Sequence, residues 1–327
     1  MSFPVGLSSY MRMFTITVLC FVLGGMAYSA ESLHLNGFLI ESPLVPADSI
    51  EMGGPPRDGI PALYSPHFVS AEAADFLDVD DRVLGIVIEG IAKAYPVRIL
   101  TRHEIVNDWI GKRRIVITYC PLCGTGIAFS AVAVQDSLTF GVSGLLYNSN
   151  VLLYDHKTKS LWSQILKTAI NGPLKGAELE QLPLQHTSWE DWSQSHPDTL
   201  VLSTKTGFEF FDYDEDPYAR YKKSNRLWFM VLNSDKRLRR KDWVLGVTVG
   251  ESAKAYPFEK MKKDTSPIQD RIGDTSVTIK FDHEHQTAVA LDSIGNPLEA
   301  VQLYWFAWAA FYPDTSIWGC KEGASRC

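Results

Sequence analysis

The chain carries one pattern twice. Arg82-Val-Leu-Gly-Ile-Val-Ile-Glu-Gly-Ile-Ala-Lys-Ala-Tyr-Pro96 matches Trp243-Val-Leu-Gly-Val-Thr-Val-Gly-Glu-Ser-Ala-Lys-Ala-Tyr-Pro257. A shared Val-Leu-Gly followed by an identical Ala-Lys-Ala-Tyr-Pro is hard to reach by chance. Each copy reads as a strand, a turn at Glu89-Gly90 or Gly250-Glu251, and a second strand closed by proline. The correspondence continues. Ile115-Val-Ile-Thr-Tyr119 lies against Val277-Thr-Ile-Lys-Phe281, both alternating as strands do. Ile127-Ala-Phe129 lies against Val289-Ala-Leu291. Each copy therefore predicts a second hairpin. One tip is Cys120-Pro-Leu-Cys-Gly-Thr-Gly126, the other Asp282-His-Glu-His-Gln-Thr287, with Cys120 facing Asp282 and Cys123 facing His285 in the alignment. The apolar faces Ile115, Ile117, Tyr119 and Val277, Ile279, Phe281 are expected to be buried.

This repeat predicts an α+β protein, predominantly β, made of two related hairpin-rich units with an intervening turn- and Trp-rich segment. The expected limits are a signal peptide over 1–29 and an N-terminal arm over 30–75. A first unit over 76–238 carries the Cys-x-x-Cys and the Trp-rich extension, and a second over 239–327 lacks the Cys pair. Residues 31–75 read as an irregular arm with a short helix at Ser70 to Phe76. Ser188 is a natural N-cap for a short helix over Trp189 to Ser195. Nine Trp, 13 Tyr and 16 Phe fit strands and well-filled cores.

A formal net charge of −7 argues against bulk attraction to nucleic acid. The basic run Lys236-Arg-Leu-Arg-Arg-Lys241 reads as a solvated loop. At the N-terminus, Arg12, the apolar run Met13 to Met26 and the small-x-small Ala27-Tyr-Ser29 read as a secretory leader. The expected location is periplasmic or otherwise exported, with membrane anchoring only if the leader is uncleaved. Beyond Cys20 in the leader, four cysteines remain. Cys320 and Cys327 enclose a short flexible segment and are expected to pair in an oxidising compartment.

The Cys120-Pro-Leu-Cys-Gly turn is where reactive groups concentrate. Its first reading is a transition-metal site, copper or zinc, formed by Cys120, Cys123 and His103, for metal handling or redox chemistry. Its second is a periplasmic thiol–disulfide oxidoreductase, weakened because a hairpin tip offers no helix N-terminus to lower a thiol pKa. Its third is a structural disulfide beneath a binding module, with Trp162, Trp189, Trp192 and Trp305 as a sugar- or peptide-binding surface or, more plainly, as core. The second tip reads as a decayed copy or solvated loop, or else as a harder metal site; chemistry is expected at the first tip alone. The expected partner is a small molecule or metal ion. No serine-hydrolase elbow, phosphate loop or zinc-protease motif is present, and the sequence does not fix an enzyme activity.

His103-Glu-Ile-Val-Asn-Asp108, Tyr119-Cys-Pro-Leu-Cys-Gly-Thr125, Gly141-Val-Ser-Gly-Leu-Leu-Tyr-Asn-Ser-Asn150, Ser160-Leu-Trp-Ser163, Trp189 with Trp192, and His196-Pro-Asp-Thr-Leu200 resemble the DUF3179 family. The resemblance runs over roughly residues 60 to 318. It implies an exported or envelope bacterial protein with a Cys-x-x-Cys core motif, and no defined activity.

Overall fold

In a computed structural model, Met1 and residues 33–327 are described, apart from Glu322 and the side chain of Lys263. The expected leader, Met1 aside, lies outside the described residues. Five small sheets, almost wholly antiparallel, form a five-bladed, propeller-like ring. The first repeat pair, Arg82–Ile88 and Ile91–Pro96, forms the middle of the first sheet, flanked by Gln185–Ser188 on one side and by Leu200–Leu202 and Phe68–Ser70 on the other. Ile105–Ile110, Arg113–Cys120, Thr125–Ser130 and Gln181–Leu182 make the second. The third contains Phe140–Tyr147 and Asn150–Asp155, with Leu161–Ser163, Thr168–Asn171 and Ile50–Met52. Trp243–Val249 and Ser252–Pro257 sit between Ala300–Tyr304 and Ser316–Ile317 in the fourth. The fifth is Ile268–Ile272, Thr275–Asp282 and Thr287–Leu291.

The repeat accounts for four of these sheets, and its register is kept residue for residue. Val83 pairs with Pro96 as Val244 pairs with Pro257. Cys120 pairs with Thr125 as Asp282 pairs with Thr287. The conserved lysine and tyrosine share one task. Lys93 and Tyr95 both bind Asp108, at 2.7 and 2.6 Å, and Lys254 and Tyr256 both bind Asp270, at 2.7 and 3.0 Å. Each carboxylate ties one sheet to the next.

The repeat is also longer than the strands that announced it. Helix α2 (Trp189–Ser195) follows Gln185–Ser188, and a matching helix over Trp305–Phe311 follows Ala300–Tyr304. Trp192 covers Gly85, and its indole N–H donates to Thr199 at 3.0 Å. Trp308 covers Gly246, and its indole donates to Thr315 at 2.8 Å. A Cβ at either glycine would lie 2.2 Å from the indole. The signal was in the sequence: Trp-x-x-Trp, an aromatic and Pro-Asp-Thr recur at Trp189–Thr199 and Trp305–Thr315. The third sheet has no counterpart in the second copy. The description as two related hairpin-rich units therefore gives way to a ring of five blades, with one blade inserted into the first copy.

Ser188 caps α2, its Oγ accepting the N–H of Asp191. Ser70 to Phe76 is a strand end and a short 3-10 turn, Ala71–Ala73, rather than an α-helix. The arm is not irregular throughout, since Ile50–Met52 and Phe68–Ser70 join the third and first sheets. Cys320 and Cys327 are disulfide-bonded. Arg237, Arg239 and Lys241 are taken up by Asp235, by Asp242 and Glu259, and by main-chain carbonyls. No helix among the described residues is long and apolar enough to cross a membrane.

Candidate functional site

Cys120 ends one strand and Cys123 stands in the turn, where its N–H donates to the Cys120 carbonyl at 3.2 Å. Gly124 follows at φ +66°, and a Cβ there would lie 2.5 Å from the Trp243 ring. Only glycine meets both demands at little cost. Both thiols are free and buried, at 1 % and 0 % exposure.

The third sheet closes over them. Asn148 and Ser149 form its hairpin tip, at φ +51° and +63°, the paired left-handed residues of a two-residue turn. The Ser149 carbonyl accepts from Cys123 Sγ at 3.3 Å and lies 3.9 Å from Cys120 Sγ. Asn150 donates to Gln164, which donates to Thr118 and to the Thr125 carbonyl. The Leu122 carbonyl accepts from Tyr221, and the Cys123 carbonyl from the Tyr304 N–H. Two buried polar atoms here, Ser149 Oγ and Asn150 Oδ1, find no partner, and the Thr125 hydroxyl faces only the Cys123 sulfur.

The two sulfurs are not equivalent. Burial pushes the Cys120 thiol up, but the Cys123 thiol and the N–H groups of Val151, Cys123 and Leu122 outweigh it and hold Cys120 below the ordinary thiol value. Cys123 goes well above it, through burial first and then the adjacent Cys120. Of the two, Cys120 is the thiol that gives up its proton the more readily.

Glu104 stands beside this turn. Its carbonyl accepts the Tyr119 N–H, its own φ is +58°, and it lines a cavity of ≈ 90 Å³ with Leu122, Val151 and Tyr218. Burial, then the Cys120 charge, raises its carboxyl well above the usual range. Its side chain has no hydrogen-bond partner among the described residues.

His103 does not join the sulfurs. Its Nδ1 pairs with the Pro61 carbonyl and its Nε2 with the Tyr213 hydroxyl, both at 2.7 Å, and burial lowers its pKa. With both nitrogens engaged, the ring is a packing element among Phe208, Phe211 and Tyr213. Among the described residues, no third His, Cys, Asp or Glu brings a ligand atom within 4.8 Å of both sulfurs. Trp162, Trp189, Trp192 and Trp305 are buried, so they form no aromatic binding surface.

At the second tip the scaffold is the same and the chemistry differs. Asp282 Oδ1 accepts the N–H groups of Glu284 and His285, at 2.8 and 3.1 Å, where Cys120 faces those of Leu122 and Cys123. Gln286 takes the left-handed place of Gly124, at φ +47°. The covers are exchanged between copies. Trp243 of the second copy lies on the first tip, while Arg82, its counterpart, binds the His285 and Gln286 carbonyls of the second. Asp191 of α2 joins Asp282 and His285, with one ligand atom of each within 4.8 Å of the others.

The sequence did not single out Ser149, Asn150, Gln164, Glu104 or Asp191. Tyr147-Asn-Ser-Asn150 had the turn chemistry of a hairpin tip, but nothing local said where that tip would land.

Comparison with curated proteins and with solved structures returns no similar chain. A family model, described as a protein of unknown function (DUF3179), matches residues 57–297 and so spans the first sheet, the cysteine turn and most of the second copy; the chain belongs to the DUF3179 family.

Proposed function

We propose that the first hairpin tip is a thiol–disulfide redox centre, with Cys120 as the attacking thiolate and Cys123 as the resolving thiol. The observation that carries this reading is the set of three main-chain N–H groups around the Cys120 sulfur. They do the work of a helix N-terminus, which a hairpin lacks. The second copy supports it independently, because the same two tip amides there hold a carboxylate.

The reaction balances with a disulfide as oxidant. The Cys120 thiolate attacks one sulfur of the partner disulfide, forming a mixed disulfide and expelling a thiolate. Cys123 gives up its proton, which can pass to the expelled thiolate, and attacks Cys120 Sγ. The second partner thiolate leaves. Two protein thiols are oxidised to one disulfide and one partner disulfide is reduced to two thiols. Access requires local opening. The irregular cover near Tyr221 carries exposed Trp228, Met230 and Leu232, a surface for a partner. The exported location that the leader implies suits this chemistry.

A metal reading survives in narrower form. Zinc requires further ligands, and His103 is committed elsewhere. A soft monovalent ion such as Cu⁺ could be held by two thiolates alone, and the same amides would stabilise them.

One experiment separates the readings. The reduced protein is equilibrated over a range of glutathione redox buffers, quenched in acid, unfolded, alkylated and mapped by mass. Cooperative loss of both Cys120 and Cys123 to alkylation is expected, and Cys123→Ser should stop at a mixed disulfide on Cys120. If both thiols stay alkylatable across the range while the reduced protein retains one equivalent of Cu⁺, the redox reading fails and the metal reading takes its place.

A further inference from the structure

We infer that Asp191, Asp282 and His285 form a binding site for a divalent first-row transition ion, separate from the cysteine pair and independent of its role. Two carboxylates and one imidazole are a hard-to-borderline donor set. They come from two elements far apart in sequence, the first turn of α2 and the tip of the fifth sheet. One ligand atom from each lies within 4.8 Å of the other two. Ligand bonds of about 2.0–2.2 Å need those atoms somewhat closer, a change that rotation of the exposed Asp282 side chain can supply.

Each donor is held from behind. Asp191 Oδ2 accepts from Thr187 Oγ1 and Gln185 Nε2, at 2.6 and 2.9 Å. Asp282 Oδ1 accepts the two tip amides. His285 Nδ1 pairs with Ser188 Oγ at 2.8 Å. Outer contacts of this kind orient metal ligands. They leave Asp191 Oδ1, Asp282 Oδ2 and His285 Nε2 without a hydrogen bond among the described residues.

A second observation points to a ligand. Thr287 is 7 % exposed, and its Oγ1 has no partner. It is the cross-strand neighbour of Asp282, so the two side chains stand on one face of the hairpin. Its counterpart Thr125 faces the Cys123 sulfur in the first tip. By that equivalence the orphaned hydroxyl is aimed at the residue 285 position. Among the described residues, no salt bridge neutralises either aspartate; Arg82, bound to the carbonyls of the tip, feels the Asp191 charge but forms no ion pair with it. A bound cation would relieve the repulsion between the two carboxylates and leave coordination positions open to solvent.

Co²⁺ is the probe, because thiolate ligation gives an intense near-ultraviolet charge-transfer band and oxygen–nitrogen ligation does not. Titration of the full chain should show one equivalent bound without that band. Asp191→Asn and His285→Gln should each weaken binding by at least about tenfold, and Ser188→Ala by about tenfold, with far-UV circular dichroism unchanged. Binding unaltered in both ligand variants would overturn the proposal. So would binding seen only through the thiolate band, or no binding up to millimolar Co²⁺.

Discussion

One hairpin tip of this protein is roofed over and the other is left at the surface, though the strands below them keep the same register. At the first, the inserted third sheet brings Ser149 and Asn150 down onto Cys120 and Cys123. At the second, no inserted blade arrives, and Asp282 remains exposed. The difference teaches how a duplicated scaffold can diverge. The strands and the amide-lined turn provide a seat for an anion. Burial then decides which anion is useful. A pair of thiols can be housed in the interior, whereas a carboxylate with no cation paired to it is costly to desolvate and stays at the surface.

The largest test of this comparison lies towards the far ends of the strands that carry the tips. Lys93 and Asp108 are each 8 % exposed, while Lys254 and Asp270 are 17 % and 19 % exposed. Removing one partner of the more buried pair strands a charge. Asp108→Ala is expected to cost about 3–5 kcal/mol, and Asp270→Ala about 1–2 kcal/mol, discounted for solvent. Urea unfolding of both variants measures the gap. Equal losses would show that the inserted blade does not make the first copy the drier one.

Next come the turn residues. Gly124→Ala meets both a left-handed backbone and the Trp243 ring. Strain of about 1–2 kcal/mol and overpacking of about 1–3 kcal/mol make a combined loss of roughly 2–5 kcal/mol reasonable. At the matching place Gln286 already bears the strain, so Gln286→Gly should change stability by less than about 1 kcal/mol. The two midpoints in denaturant decide it.

These pairs also show what could be read from the chain alone. Alternation and the Ala-Lys-Ala-Tyr-Pro repeat placed the two hairpins, their register and the buried faces of Ile115, Ile117 and Tyr119, because strand periodicity is a local signal. The thiols were legible for the same reason. The roof was not. Ser149 meets Cys123 only because the first hairpin of the inserted blade folds back over the cysteine turn, a distance relation that no local pattern encodes. His103 misled in the opposite direction: it is near the turn in sequence, yet α1 (Val97–His103) turns its ring toward Pro61 and Tyr213. Asp191 lay in a helix read for its tryptophans alone, as core or as a binding surface.

A pH test sharpens the comparison further. His186 and Gln302 face the same leucine of the repeat, Leu84 and Leu245, and both line the cavity of ≈ 320 Å³ between the sheets. Burial, followed by the charges of Arg82 and Lys222, lowers the His186 pKa well below 6.5. The folded protein therefore keeps this ring neutral while the unfolded chain takes up a proton. The contribution is intact above about pH 6.5 and is lost as pH falls below it, by about 1.4 kcal/mol per pH unit. His186→Gln, which installs the residue of the second copy, should flatten that limb. An unchanged acid slope would mean that His186 is protonated in the fold after all.

The smallest expected effect is at the open tip itself. Asp282→Asn keeps an oxygen where Oδ1 accepts the N–H groups of Glu284 and His285. It removes a charge that water already screens. A change within about 0.5 kcal/mol is expected, readable as coincident thermal unfolding curves. The same variant removes one of three anchoring donors from the inferred cation site and should weaken Co²⁺ binding by at least about tenfold. Stability and binding would then separate at a single residue, which is how a surface ligand differs from a structural one. A loss of 2 kcal/mol or more would instead make Asp282 a fold determinant, as tightly held as its buried counterpart Cys120, and the contrast between the roofed and the open tip would collapse.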